Sequence, residues 1–110
     1  MDEGGDNMNI VSLNELATIQ QGAIVSKIIA QTGSVTLFAL SKNESISAHT
    51  SSREAFVLVL EGEIQFSIAS EKKILNALEG IEIPANELHA LQAMQDSRML
   101  LIQKGVLSNE

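Results

Sequence analysis

Two histidines, His49 and His89, are the side chains of this chain best equipped for chemistry. Imidazole titrates near neutral pH and is the commonest protein ligand for transition metals. Polar neighbours follow His49 closely: Ser51, Arg53 and Glu54 lie in the run His49–Ala55 (HTSSREA). Such a set could hold a divalent metal or line the polar part of a small-molecule pocket. There is no cysteine, which removes disulfides, thiolate metal sites and cysteine nucleophiles. No Ser-His-Asp arrangement, phosphate-cradling glycine loop or nucleotide fingerprint is present.

Side chains so far apart in sequence can meet only if the intervening chain folds back on itself, and the patterning says how. From residue 23 onward the texture has period two. Ala23–Gln31 and Ser34–Ser41 read as antiparallel neighbours joined by a Thr32-Gly33 turn. Ala55–Leu60 is a continuous apolar run, as expected of a strand buried on both faces. In Glu63–Ile68 the residues Ile64, Phe66 and Ile68 alternate with Glu63, Gln65 and Ser67. Lys72–Leu75, Gly80–Ile83, Leu88–Ala93 and Arg98–Lys104 continue the series. Turn-formers separate them at Lys42-Asn43, Glu61-Gly62, Ala69-Ser70-Glu71, Pro84-Ala85-Asn86 and Gln95-Asp96-Ser97. Asp96 and Arg98 read as turn residues, and Met94 and Met99 as core fillers. Many short strands with regular turns indicate a sandwich or barrel. The one helical hint is Ile10–Ile19, where Ser12 and Glu15 match a capping box and Leu13, Leu16 and Ala17 share a face.

Residues 43–62 (NESISAHTSSREAFVLVLEG) and 78–93 (LEGIEIPANELHALQA) resemble the two motifs of the cupin superfamily. VLVLEGE at Val57–Glu63 looks like the turn between adjacent strands, and IPANELHAL at Ile83–Leu91 like the second motif. The resemblance is to small single-domain cupins. It implies an all-β fold, the cupin-type double-stranded β-helix or jelly-roll barrel, of eight or more strands with a short N-terminal helix. It also implies a barrel-lining site in which two histidines at i and i+2, a glutamate and a third histidine hold a metal. Here His49 matches the first histidine and His89 the last, while Ser51 stands in the second histidine's place and Ala55 in the glutamate's. Glu54 is one residue out of register, which in a regular strand turns it to the opposite face. Only a bulge or irregular turn through Ser51–Arg53 would bring it inward. Asn43, Leu78 and Asn86 replace motif glycines, and asparagine tolerates the left-handed backbone such turns need.

The expected function is small-molecule binding in the barrel, with His49, Ser51, Ala55 and His89 lining the pocket and at most a weak, incomplete metal site. The cofactor implied is a divalent transition metal (Fe, Mn, Ni or Zn) on His49 and His89. The alternative is a metal-dependent enzyme of dioxygenase or isomerase type, with Glu54 or water completing the shell. A third reading is a structural or regulatory partner with no ligand of its own.

Length and composition bound the rest. The 110 residues suit one domain, expected over 9–110 after a loose tail at 1–8. With 45% apolar residues but only Phe38, Phe56 and Phe66 as aromatics, the core must be aliphatic. A net charge of −7 and the lack of Trp and Tyr argue against nucleic acid, which selects clustered cations and stacking platforms. The first nine residues (MDEGGDNMN) have neither the basic nor the apolar region of a secretory signal. No apolar run is long enough to span a membrane. A cytoplasmic homodimer is expected.

Overall fold

The structure is a computed structural model that describes residues 10–29 and 34–104. Among these, a helical turn, α1 (Leu13–Leu16), precedes nine strands. They are β1 (Ile24–Ile28), β2 (Val35–Leu40), β3 (Ser45–His49), β4 (Ala55–Glu61), β5 (Glu63–Ile68), β6 (Glu71–Asn76), β7 (Gly80–Ile83), β8 (His89–Ala93) and β9 (Ser97–Gln103). Two antiparallel sheets result, ordered β1-β2-β9-β4-β7 and β3-β8-β5-β6. This is the all-β jelly roll with a short N-terminal helix that the sequence implies. The Thr32-Gly33 turn and the 1–8 tail lie outside the described residues.

Period-two patterning decides which side chains fill the space between the sheets. Leu40, Val57, Val59, Ile83 and Met99 from the first sheet meet Ile64, Phe66, Leu75, Leu91 and Ala93 from the second in one core. The continuous apolar run of β4 has a different cause on each face. Val57 and Val59 enter that core, while Leu60 joins a second cluster with Leu37, Ala39 and Leu100 on the outer side of the five-stranded sheet. The N-terminal segment covers this outer patch with Leu13, Leu16, Ala17 and Ile19. The covering is incomplete, since Phe56 and Ile102 remain 39% and 38% exposed.

Three local expectations need correcting. Ser12 occupies the N-cap position of α1, but its side chain makes no capping bond. The turn is closed by its carbonyl, which accepts from Leu16 N at 2.9 Å. One turn is too short to be stable by itself, so apolar packing holds it. Arg98, which the sequence offers both as the start of a strand and as a turn residue, lies in β9. Its guanidinium donates to Glu61 Oε2 at 2.5 Å and to the Ala17 carbonyl at 3.0 Å, pinning the N-terminal segment to the sheet. Finally, the period-two reading passed over β3 (SISAH), an edge strand with Ile46 as its one large apolar residue. Met99 is buried in the core as expected, whereas Met94 is half-buried.

Candidate functional site

The site begins with a miscount in a ladder. β3 and β8 pair antiparallel with Ser45 opposite Gln92 and Ile46 opposite Leu91, yet the next pair is His49 opposite His89. Three residues advance on β3 while two advance on β8, so β3 carries a bulge between Ile46 and His49. Leu91 and Ala93 point into the core, and His89, two residues before Leu91, shares their face. Without the bulge His49 would face the other way, because it is an odd number of residues from the inward-facing Ile46. The inserted residue restores it to the inner side. The two imidazoles then meet with ring centroids 4.3 Å apart and planes tilted by 58°.

Each ring is held the same way. His49 Nδ1 lies 3.0 Å from the Ser47 carbonyl and His89 Nδ1 lies 2.9 Å from the Glu87 carbonyl, both two residues upstream. A carbonyl can only accept, so each Nδ1 carries a proton, and in the neutral ring the lone pair then sits on Nε2. His89 is half-buried and His49 exposed, so the pair lies at the solvent-facing end of the β3–β8 ladder.

The loop after β3 is tied to the turn before β8. Asn86 N donates to the Ser51 carbonyl at 2.7 Å, and the Ser51 hydroxyl accepts from Arg53 N at 3.2 Å. Ser51 is therefore half-buried and engaged in shaping its own loop. Ala55 opens β4 and packs against the main core. Glu54 is exposed and, with Ala55, Phe56, Glu82, Pro84 and Ile102, lines a surface concavity of about 430 Å³ that His49, Ser51 and His89 do not border. Among the described residues no three His, Asp or Glu side chains gather as a metal shell. The carbonyls of Ser47 and Glu87 are the orienting groups that sequence reasoning missed. A backbone oxygen leaves no residue signature, and the bulge that aligns it leaves none either.

The turns that frame these strands have demanding backbones. Gly62, between β4 and β5, has φ +90°, and a Cβ there would collide with Ser97 Oγ and the Asp96 carbonyl. Ser97 is fully buried, and its hydroxyl accepts from Glu63 N at 3.0 Å and donates to the Gln95 carbonyl at 2.7 Å. Asn43, Leu78 and Asn86, the three motif-glycine replacements, all have positive φ, at 77°, 70° and 66°. Each of these turns adopts the left-handed backbone without a glycine.

The cupin domain family model matches residues 36–103, the stretch from β2 to β9 that holds both histidines and all of these turns. The chain belongs to the cupin family. Among solved structures, this cupin is similar to the conserved SPY1581 protein of unknown function from Streptococcus pyogenes. That match has 27% identity, covers 91% of this chain and 90% of the other, and has a TM-score of 0.82. A cupin superfamily protein from Desulfitobacterium hafniense matches at 24% identity over 88% of this chain and 91% of its own, with a TM-score of 0.79. A cupin 2 conserved barrel domain protein from Leptotrichia buccalis matches at 31% identity and a TM-score of 0.75 over 82% of this chain, which spans only 45% of it. Comparison with curated proteins returns no match.

The donor set can be tested against the metal that the fold family implies. Two neutral imidazoles fall short of the three protein ligands that mononuclear catalytic sites usually supply. Ser51 is occupied with its loop, Ala55 offers no donor, and Glu54 lines a surface concavity that neither histidine borders. These residues do not fit a resident metal of the family type. Among the described residues no helix is long and apolar enough to cross a membrane.

Proposed function

We propose that this cupin binds a small molecule at the His49–His89 pair and carries no metal of its own. The carrying observation is that both imidazoles are oriented by backbone carbonyls and lie against each other with ring centroids 4.3 Å apart. Fixed, adjacent polar groups on an otherwise apolar interior suit orientation of a ligand. The cysteine-free chain is taken to work in the cytoplasm, as a pair of copies.

Two measurements on untagged protein test this. Metal analysis should find iron, manganese, nickel and zinc well below one per chain. In metal-free buffer, NMR screening of small carboxylates, hydroxy acids and polyols should find compounds that shift the His49 and His89 ring resonances. Stoichiometric metal that disappears in His49→Ala would overturn the reading, and so would a screen in which no compound moves either ring.

A further inference from the structure

Among the described residues each sheet ends in two edge strands, and three of the four carry a device against pairing with another strand. β1 contains Lys27, β6 contains Lys72 and Lys73, and β3 is bulged. β7 has no lysine or proline within it and no bulge against β4.

The neighbouring ladder says which groups that edge offers. Val59 N donates to the Glu79 carbonyl at 2.9 Å and the Val59 carbonyl accepts from Leu78 N at 2.6 Å, so the main-chain groups of Val59 face the β7 side. Such groups alternate sides along a strand, so those of Val57 and Ala55 also face β7, opposite Ile81 and Ile83. Gly80 and Glu82 therefore turn their N–H and C=O groups away from β4. Both residues are exposed. β7 pairs with no second strand, and these groups have no other partner among the described residues.

This short edge is complementary to itself. When two copies align β7 antiparallel about Ile81, Gly80 of each lies opposite Glu82 of the other. Both pairs then exchange both backbone bonds, and every outward group is used. Ile81 meets its own copy on the face that leads into the core. On the other face Glu82 falls opposite a residue without a side chain, beside the Phe56 ring, with which a Cβ on Gly80 would collide. A slip of two residues would set Glu82 directly against itself, like charge on like. A slip of one would put inward residues opposite outward ones.

We propose that this chain pairs with a second copy of itself through β7, joining two five-stranded sheets into one across a two-fold axis at Ile81. The inference rests on the pair-of-copies reading above and assigns its interface.

Sedimentation of the untagged chain across a concentration series should show a reversible monomer–dimer equilibrium. Glu82→Pro removes one outward N–H and leaves the β4–β7 ladder intact, since proline is tolerated on an edge strand whose N–H faces solvent. It should weaken the dimer by about 30-fold or more, because the axis counts each lost donor twice. The register is read separately, on a chain with no cysteine of its own. In Ile81→Cys the two thiols belong to a non-hydrogen-bonded pair with Cα atoms about 4.5 Å apart, within disulfide reach. Mild oxidation should therefore yield a covalent dimer. Glu82→Cys, opposite Gly80, should yield little. Should Glu82→Pro fail to fold, the two cysteine variants decide alone. A dimer that folded Glu82→Pro leaves intact overturns this interface alone. So does an Ile81→Cys dimer that fails to cross-link, or Glu82→Cys cross-linking as fast. A wild type that stays monomeric overturns the interface and removes the pair reading with it. Slow amide exchange at Gly80 and Glu82 in that monomer would show another part of the chain covering the edge.

Discussion

Replacing Leu78 with glycine should stabilise the protein, although it deletes an entire leucine side chain. Leu78 sits in the turn between β6 and β7 with φ +70° and is 77% exposed. The left-handed backbone costs an L-residue about 1–2 kcal/mol, because Cβ crowds the following carbonyl. Glycine removes that strain but loses about 0.5–1 kcal/mol through its greater freedom in the unfolded chain. With so little of the side chain buried, lost packing is minor, and the balance is a gain of roughly 0.5–1 kcal/mol. For a domain of this size the melting midpoint should rise by about 2–6 °C. Urea and thermal melts of wild type, Leu78→Gly and Leu78→Ala separate the causes. Alanine keeps the Cβ and its strain, so it should stay within about 0.5 kcal/mol of wild type. If alanine gains as much as glycine, the benefit comes from deleting exposed apolar surface and the backbone argument is wrong. If glycine destabilises, the leucine side chain is packing against something that outweighs its strain.

Two other substitutions probe the frame of the site. Gly62→Ala combines a positive φ with collision against Ser97 Oγ and the Asp96 carbonyl, so it should cost roughly 3 kcal/mol or more; a denaturation midpoint near wild type would contradict this. Arg98→Met removes the bonds to Glu61 and to the Ala17 carbonyl and should cost about 1–3 kcal/mol. Its signature is local: amides of Leu16–Ile19 should exchange faster while those of Ile64 and Phe66 stay protected. A uniform loss of protection would show that Arg98 does not act through the N-terminal segment.

The strands that face a core were legible because burial selects residues by parity. Ile64, Phe66 and Ile68 reveal β5 through alternation, and Val57 to Leu60 reveal β4 through its two apolar clusters. The positive-φ turns could be anticipated at Asn43 and Asn86 from residue type, but at Leu78 only from the resemblance, since leucine by itself argues against that conformation. What stayed hidden is one-sided or backbone-borne. β3 lies at a sheet edge, and its exposed serines suit solvent as well as they suit a loop. Arg98 next to Asp96 and Ser97 has the look of a turn, and its partners are Glu61 and a carbonyl far upstream. For the site itself, both histidines and the unfilled places at Ser51 and Ala55 could be read from register. How the rings are held could not, because carbonyls do the holding.

The extra residue in β3 gives the histidine pair an unusual kind of dependence. Whether His49 meets His89 is decided by a count of residues between Ile46 and His49, not by which residues they are. Substitutions at Ser47 or Ala48 leave that count untouched, so the pairing tolerates drift in composition there. Loss of one codon would restore the regular pleat and turn the imidazole outward, abolishing the pair with every functional side chain still present. In relatives of this chain, the length of that short segment is therefore a better marker of a paired site than the presence of both histidines.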